Sequence, residues 1–370
     1  MGLKVQTRFP GGNGTAVEVV RGDPPEVLFM PDPCGSSEAL WFWLKIEAPD
    51  SGEAEASKLK LTLRHADLIE GLGATGTFPV IRVPGQPWSR LKRGEESRGE
   101  DGQRRISWMI PYPAPLIEVA WCFPYDGSDV ENLVEKSKGF WACEGIGISQ
   151  GGHGIERVST AAGAGSANYP GLYFLARECG GETPGSWVVD GFLRHWAQLK
   201  RGGWVVWAVP VLDVDGVKWG MYGRGEQTVA GVVEAWGTPP RRMEARTVQH
   251  DLVRWKARCH PVLVLNVQAG GPGSPEGVGI ECSGELSSDE EKWVNVLKVE
   301  LKDVAASDFV SRVEESGGRR FDEVARELTG GSALTLRVPF GSAGGNVLTV
   351  KSYREIGQRV AQAVLKRRGK

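Results

Sequence analysis

The sequence predicts an α/β protein with a mixed, mostly parallel sheet flanked by helices, preceded in the chain by an antiparallel β-sandwich domain. Up to about residue 130, short β-rich runs are separated by polar turns, and beyond it strand-like runs alternate with helical patterns. The length of 370 residues also suits two domains, at about 150 residues each. We therefore expect the sandwich at residues 1–128 and the α/β domain at residues 129–370.

The N-terminal part contains six short runs of β-branched, aromatic and aliphatic residues. Helix signals are nearly absent between them, which is typical of an antiparallel sandwich or barrel. The stretch Ser89–Arg105 is densely charged with both signs, and we interpret it as a solvated hairpin loop. The predicted strands are Ala16–Val20, Ala39–Glu47, Leu59–Arg64, Thr77–Val83, Arg105–Ile110 and Ile117–Cys122.

In the C-terminal part, strands and helices follow one another, which indicates a mostly parallel sheet covered by helices. The last helix is the clearest, because Ile356, Val360 and Val364 recur at helical spacing and form one apolar stripe. The predicted strands are Pro170–Glu178, Trp204–Leu212, Pro261–Gln268 and Ala333–Phe340. The predicted helices are Pro184–Lys200, Arg241–Ala257, Asp289–Val304 and Ser352–Lys366.

The charged residues nearly balance, with 44 Lys and Arg against 46 Asp and Glu and a formal charge of −2. A dedicated nucleic-acid or membrane-surface protein needs an excess of positive charge, so both classes are disfavoured. No apolar run reaches the roughly 18 residues of a membrane span, and Met1–Gln6 lacks the apolar stretch of a signal peptide. The six cysteines are scattered without a C-x-x-C pair, which indicates reduced thiols and a cytoplasmic protein.

Polar residues stand where predicted strands end, and ligands of parallel sheets bind beyond these carboxyl ends. Cys179 and Glu182 share a glycine turn. They are interpreted either as two zinc ligands or as a buried thiol and a solvated carboxylate. Asp213–Gly216 indicates a turn, with cation binding as the alternative. Asn266–Gly271 carries alternating polar residues into a glycine loop. Arg337 interrupts an apolar strand, and a buried arginine needs an acidic partner, for which Glu182 is the leading candidate.

The histidines and serines form no recognisable hydrolase motif. Neither H-E-x-x-H nor C-x-x-C occurs, and the one H-x-x-E spacing, His153–Glu156, has no third ligand near it in the sequence. Ser159 and Ser186 lack an evident base, so a serine triad is not supported. Each histidine is therefore assigned to the core or to the surface.

The segment Ala176–Leu193 is similar to the sequence A-R-Q-H-P-G-E-T-P-G-S-W-V-M-E-G-F-L of the zinc carboxypeptidases of the carboxypeptidase A superfamily, most closely their cytosolic branch. The resemblance extends over nearly the whole chain. It implies a zinc-carboxypeptidase-like α/β domain after an N-terminal β-sandwich. Further resembling segments are Phe9–Asn13, Trp41–Trp43, Ala120–Tyr125 and Ile146–His153.

This resemblance also implies where the zinc ligands and the general base should be. The His and Glu of H-P-G-E correspond to Cys179 and Glu182, and the later His of D-L-H corresponds to Gln268. Asn266 stands at the aspartate of D-L-H, and Arg337 stands at the general-base glutamate of T-L-E. Glutamine is a weak neutral ligand and arginine is not a base near neutral pH, so the family's hydrolytic mechanism is expected to be lost.

The substrate-binding positions that the family implies are changed as well. The family's N-P-D-G turn corresponds to Asp213–Gly216. Its G-N-Y-R motif places Gly223 at the arginine, or shifts that arginine to Arg224. Its N-R pair, which holds the substrate's terminal carboxylate, corresponds to Val233 and Glu234, and Glu234 would repel that group.

These substitutions predict a carboxypeptidase-like pseudoenzyme that binds a peptide or protein C-terminus, with no cofactor, no nucleic acid and no membrane partner. An ion pair between Arg337 and Glu182 is expected to take over part of the electrostatic role of zinc. The alternative is an active metallocarboxypeptidase that holds zinc in a remodelled site with Cys179 and Glu182. A third class is a cysteine hydrolase with Cys179 at a helix N-terminus as its nucleophile.

Overall fold

The chain divides into two compact units. The first unit comprises Met1–Pro124, Gly216–Glu226 and Gly271–Ser274, and the second comprises Tyr125–Asp215, Gln227–Gly270 and Pro275–Lys370. The computed structural model describes residues 3–34, 39–48, 58–69, 78–112, 114–160, 168–223, 236–237, 239–270, 276–282, 284–312 and 319–368.

The described residues of the first unit form two five-stranded sheets. Their strands are β1 (Lys4–Gln6), β2 (Thr15–Val20), β3 (Glu26–Met30), β4 (Trp43–Glu47), β5 (Lys58–Leu63), β6 (Val80–Arg82), β7 (Ser89–Arg90), β8 (Glu95–Arg98), β9 (Arg104–Pro111) and β10 (Leu116–Ala120). One sheet has the order β1-β4-β10-β6-β7 and is antiparallel. The other has the order β2-β3-β5-β9-β8 and contains one parallel pair, β3 with β5.

Alternating burial explains how these strands form a core. Leu44 and Ile46 of β4 are buried while their neighbours are half-buried, as the two-residue period of a strand requires. Phe29 of β3 and Phe42, just before β4, meet edge to face with ring centres 4.9 Å apart, so both sheets contribute to one apolar layer.

The charged stretch at 89–105 is not the simple loop that its composition predicts. Its Glu95–Arg98 segment pairs with β9 as the exposed edge strand β8. Arg104 and Glu96 form an ion pair across these strands at 2.7 Å. Charged side chains are tolerated here because both faces of an edge strand reach water, so composition alone cannot separate this strand from a loop.

The second unit is built on an eight-stranded sheet of the order β11-β12-β14-β13-β15-β18-β16-β17. The four strands β14, β13, β15 and β18 are mutually parallel, whereas β11, β12 and β16 join in antiparallel fashion. A two-stranded hairpin, β19 with β20, is separate. The strands are β11 (Trp141–Ile148), β12 (Gly154–Thr160), β13 (Pro170–Ala176), β14 (Val205–Val209), β15 (His260–Ala269), β16 (Val278–Cys282), β17 (Ala305–Arg312), β18 (Ser332–Val338), β19 (Ser342–Ala343) and β20 (Asn346–Val347).

Helices cover this sheet. In the described part of the second unit they are α1 (Gly127–Lys136), α2 (Thr183–Leu199), α4 (Met243–Lys256), α5 (Ser288–Glu300), α6 (Phe321–Thr329) and α7 (Val350–Arg368). The short helix α3 (Val214–Trp219) spans the point in the chain where the second unit gives way to a segment of the first, and a 3-10 turn at Ala66–Leu68 belongs to the first unit. Helices α2 and α7 approach closely because glycines meet at their contact. A Cβ atom at Gly191 would lie 2.3 Å from the Arg354 carbonyl oxygen, and one at Gly357 would lie 2.0 Å from that of Val188.

The fold confirms the predicted class: a mixed, mostly parallel sheet flanked by helices, together with antiparallel sheets. Helix α2 begins at Thr183 rather than at the predicted Pro184, and Glu182 is its N-cap residue. Helix α5 ends at Glu300, short of the predicted Val304, because residues 301–304 form the turn that leads into the edge strand β17. Strands β16 and β17 were not predicted: β16 has only five residues, and β17 is largely exposed.

No helix in the described part of the chain is long and apolar enough to cross a membrane. All six cysteines are free thiols, and four of them are buried. Burial raises the pKa of Cys259 to about 12, so this thiol is protonated near neutral pH and is a weak nucleophile.

Candidate functional site

The parallel strands of the second unit bring several polar side chains to one edge of the sheet. Strand β13 ends at Ala176 and β14 at Val209, and polar residues follow in both connections. Strands β15 and β18 carry polar residues close to their C-terminal ends. The polar residues at this edge are Glu178, Cys179, Asp213, Asn266, Gln268 and Arg337.

The carboxylate of Glu178 is the centre of a buried hydrogen-bonded cluster. Its Oε1 accepts from Asn266 Nδ2 at 2.6 Å and from Gln268 Nε2 at 2.7 Å. Its Oε2 accepts from Trp236 Nε1 at 2.7 Å. Glu178 is 1 % exposed. Three N–H donors converge on one carboxylate, so the cost of burying its charge is offset by strong, charge-assisted hydrogen bonds.

The spacing along β15 explains why two amides reach the same carboxylate. Asn266 and Gln268 are two residues apart on one strand, so their side chains project from the same face of the sheet. Trp236 completes the cluster from outside the sheet, and its ring centre lies 4.7 Å from that of Phe321 at the start of α6. We name Glu178, Asn266, Gln268 and Trp236 the Glu178 cluster.

Arg177 shapes the loop that presents Glu178. Its backbone φ of +59° lies in the left-handed region, which is uncommon for a residue with a side chain. The buried guanidinium donates to the carbonyl oxygen of Gly180, from Nε at 2.8 Å and from Nη2 at 2.6 Å, and also to that of Tyr125. These bonds close the loop on itself and compensate the backbone strain, so Glu178 is turned toward β15.

Cys179 and Glu182 lie in the next turn of this loop, as the sequence predicts. The Glu182 amide donates to the Cys179 carbonyl oxygen at 3.0 Å, and the Cys179 amide donates to Glu182 Oε2 at 3.4 Å. Cys179 is buried and Glu182 is half-buried. The two side chains therefore share one tight turn, in which the Glu182 carboxylate stabilises the backbone of the turn.

Arg337 is buried beside Gln268, because β15 and β18 pair in register at these two residues. Its Nε forms an ion pair with Oε1 of Glu281 on the antiparallel neighbour β16 at 3.1 Å. Arg320 approaches the same glutamate at 3.6 Å. The acidic partner described for Arg337 is thus Glu281, whereas the sequence analysis named Glu182 as the leading candidate. Glu281 lies two residues from Gly279, the position opposite Arg337 on the adjacent strand, and only the strand order reveals this relationship.

The two aspartates of the predicted turn take different partners. Asp213 forms an ion pair with Arg242 at 3.2 Å. Asp215 accepts hydrogen bonds from Ser149 Oγ at 2.6 Å and from the Gly151 amide at 2.7 Å, and its Oδ1 lies 2.6 Å from His153 Nδ1. The two carboxylates therefore serve separate contacts. The predicted turn at Asp213–Gly216 is wrong, because Val214–Trp219 forms helix α3 and only Asp213 precedes it.

The substrate-binding positions that the resemblance implies are only partly visible. Gly223 is described and is buried. Arg224, Val233 and Glu234 lie outside the described residues.

Comparison with known proteins agrees with this architecture. No family model matches the chain. Its sequence is 24 % identical over 250 residues to cytosolic carboxypeptidase 2 of Xenopus tropicalis, a match that covers 60 % of this chain and 25 % of that protein. The chain thus spans about a quarter of the length of this relative. This chain has a carboxypeptidase-like fold.

Solved structures share its fold across its whole length. The metallo-carboxypeptidase from Burkholderia cenocepacia has a TM-score of 0.78 at 16 % identity, over 100 % of this chain and 99 % of that one. A metallo-carboxypeptidase from Pseudomonas aeruginosa, in complex with (2-guanidinoethylmercapto)succinic acid, has a TM-score of 0.73 at 19 % identity, over 98 % of this chain and 99 % of that one. The carboxypeptidase-like fold therefore includes both units.

The side chains at the family's zinc positions do not match a zinc donor set. Zinc is held by thiolate, imidazole and carboxylate groups. Among the described residues, no three His, Cys, Asp or Glu side chains are grouped so that they could hold a metal ion. Gln268 turns its amide nitrogen to Glu178, and Asn266 Oδ1 is buried with no donor among the described residues. An amide is a poor substitute for imidazole at this position.

Glu178 is the residue of the site that the sequence analysis missed. The matching family segment has glutamine at this place, directly before the first zinc ligand, so the exchange of an amide for a carboxylate is visible within A-R-Q-H against Ala176–Cys179. The sequence signal for this residue was a new acidic side chain directly after a buried strand. Its partners on β15 and at Trp236 are 58 to 90 residues away in the chain, so the sequence could not show that these side chains meet.

Proposed function

We propose that this carboxypeptidase-like chain binds a peptide or protein C-terminus without hydrolysing it and without zinc. The observation that carries the proposal is the hydrogen bond from Gln268 to the Glu178 carboxylate. Gln268 stands where the resemblance implies the last zinc ligand. Its NH2 group is committed to an internal acceptor, the Glu178 carboxylate, which accepts two further N–H groups from Asn266 and Trp236.

Arg337 supports the loss of hydrolysis. At the position that the resemblance implies for the general base, a guanidinium stays protonated across the physiological range and cannot take a proton from water. Its ion pair with Glu281 further holds that charge in place. General-base catalysis typically contributes about 10²- to 10⁴-fold to a rate, so this one exchange alone removes much of the mechanism.

The retained fold supports the binding role. The bacterial carboxypeptidase structures superpose on both units of this chain, with TM-scores of 0.73 to 0.78. Fold and reaction are separable properties of a protein, so a chain with this fold can keep a peptide-binding role after its chemistry is lost. The six free thiols fit a cytoplasmic setting for this role.

The test combines metal content with turnover. The purified full chain, exposed to excess zinc and then dialysed, is measured by plasma mass spectrometry, and release of C-terminal residues from a peptide library is followed by mass spectrometry. We expect zinc well below one ion per chain and no release. Arg337→Glu, which restores a carboxylate at the general-base position, is expected to remain inactive. Stoichiometric zinc with turnover that a chelator abolishes would instead establish an active metallocarboxypeptidase.

A paired variant sharpens the metal measurement. Cys179→His with Gln268→His restores the family's residue types at two ligand positions next to Glu182. Zinc retention by this double variant, against none by the wild type, supports the assignment of these positions. Binding is tested separately by calorimetry with the same peptides, carrying either a free or an amidated C-terminus. Equal binding of both forms, or binding of neither, contradicts the binding role and leaves the conclusion about zinc and hydrolysis to the first experiment.

A further inference from the structure

A second site of the α/β unit lies at the far end of α2. Here the last turn of α1, the connection into β11 and the C-terminal end of α2 enclose an open cleft of about 710 Å³. Small-molecule sites measure about 300–1,000 Å³, so the cleft can accept one ligand of that size. The 17 residues of α2 place it roughly 25 Å along the helix axis from Glu182. We name this feature the basic cleft.

Positive charge dominates the basic cleft. Lys136, Lys138, Arg194 and Lys200 line it, and none of the described lining residues is acidic. Arg194 is in part neutralised by Asp190 at 2.8 Å, but that carboxylate is shared with Arg354 at 2.6 Å. The C-terminal ends of α1 and α2 also face the cleft, and each carries a partial negative charge of about half an elementary charge. These partial charges offset only part of the positive charge of the lysines, so the cleft keeps a net positive potential.

The floor of the cleft is apolar. Leu133, Phe140, Trp141 and Ala197 line it. The indole N–H of Trp141 is turned away from solvent, since it donates to the Leu193 carbonyl oxygen at 3.1 Å. Phe140 packs edge to face on Trp141, with ring centres 4.8 Å apart. An apolar body placed here contacts carbon on its underside and lysine ammonium groups at the rim.

The connection that carries Lys138 is already ordered by the chain itself. Lys138 and Gly139 both adopt positive φ values, +52° and +81°. The Phe140 amide donates to the Ser137 carbonyl oxygen at 3.2 Å, and the Trp141 amide donates to Ser137 Oγ at 3.1 Å. A preformed wall lowers the entropy cost of binding, because little has to be ordered when the ligand arrives.

We propose that the basic cleft binds a small amphipathic organic anion: an apolar, ring-sized body that bears a carboxylate, sulfonate or phosphate group. The apolar body lies against Phe140 and Trp141, and the anionic group lies between Lys138 and Lys200. Both parts are needed, because exposed lysines alone attract any anion weakly and the floor alone attracts any apolar compound. The site is separate from the strand ends on which the proposed peptide-binding role rests.

Calorimetric titration of the full chain with three probes tests this. Naphthalene-2-sulfonate carries both parts, inorganic sulfate carries the charge only, and 2-naphthylmethanol carries the ring only. We expect the sulfonate to bind at least about tenfold more tightly than either partial probe, with an affinity that falls as salt rises. Equal binding of sulfate or of the alcohol would overturn the proposal. Titration with 2-naphthoate and 2-naphthyl phosphate then identifies the preferred anionic group.

Charge reversal locates the binding. Lys138→Glu with Lys200→Glu should weaken naphthalene-2-sulfonate binding by about tenfold or more. The control is Lys298→Glu, an exposed lysine in the last turn of α5 that does not line the cleft, and it should leave the affinity unchanged. Thermal unfolding of each variant verifies folding. Unchanged affinity in the folded double variant would show that the probe binds elsewhere.

Discussion

Gln268 donates a hydrogen bond of 2.7 Å from Nε2 to Oε1 of Glu178. The two residues lie 90 positions apart, one on β15 and the other just after β13. Both strands are parallel neighbours, so this contact links the ends of two adjacent strands. A carboxylate held by three N–H donors is an internally satisfied group, and it is the feature on which the metal-free interpretation of this site depends.

The Glu178 cluster should be important for stability. Glu178→Gln replaces one carboxylate oxygen by an NH2 group, which cannot accept a hydrogen bond. At least one of the N–H donors of Asn266, Gln268 or Trp236 then faces another donor and loses its acceptor. Leaving a buried hydrogen-bonding group unsatisfied costs about 1–3 kcal/mol, and we expect the free energy of unfolding in urea to fall by that amount. Glu135→Gln, at an exposed residue of α1, should change it by less than about 0.5 kcal/mol. Equal stability of both variants would contradict the cluster.

The pair Arg337–Glu281 should be coupled. A double-mutant cycle with Arg337→Met and Glu281→Gln is expected to give a coupling energy of about 1–3 kcal/mol in urea unfolding, because the arginine is buried. The matched control is the exposed pair Lys351–Glu355, at 3.7 Å, with side chains 87 % and 52 % exposed. Lys351→Met with Glu355→Gln should give about 0.5 kcal/mol or less. Coupling of the same size in both cycles would show that Glu281 is not the effective partner.

Asp129 should make the protein less stable as pH rises. Burial, with the neighbouring Asp126 and Asp190 carboxylates, raises its pKa from 3.8 to about 6. Between these values the folded state holds a proton that the unfolded chain has released, so stability falls as pH rises through this window. Asp129→Asn removes this loss and keeps an acceptor for the Asp126 amide.

The measurement for Asp129 is the free energy of unfolding from pH 3.5 to pH 7.5, a range chosen to bracket roughly both pKa values. The variant should match the wild type at the acidic end and become the more stable protein above about pH 6. A constant difference between the two curves would mean that Asp129 does not titrate between the folded and unfolded states.

Asp215 should behave in the opposite sense. Burial alone would raise its pKa, but hydrogen bonds from Ser149, His153 and the Gly151 amide outweigh burial and hold the pKa below its ordinary 3.8. A depressed pKa adds stability above the unfolded value, and that stability is lost as pH falls below about 4. Asp215→Asn should therefore be less stable than the wild type at neutral pH, with a difference that narrows in acid. A difference that widens in acid would contradict this network.

The fold was largely predictable because it follows from local patterns. Helix α7 and the parallel strands β13, β15 and β18 are recognisable from the spacing of apolar residues, which each segment carries within itself. The exceptions are at edges: β8 is exposed throughout, and β17 buries only Ala306 and Phe309, so neither strand has an alternating apolar pattern. The same local reasoning identified the turn of Cys179 and Glu182.

The sequence by itself predicted the carboxypeptidase-like fold and named Gln268 and Arg337 among the positions at which its chemistry is expected to be altered. Only the tertiary structure decided which partners these side chains take. Glu178 meets the β15 amides, and Arg337 meets Glu281, through strand order and register. The physical reason is range: periodicity acts over a few residues, whereas the partner of a buried charge is set by which distant segments pack side by side.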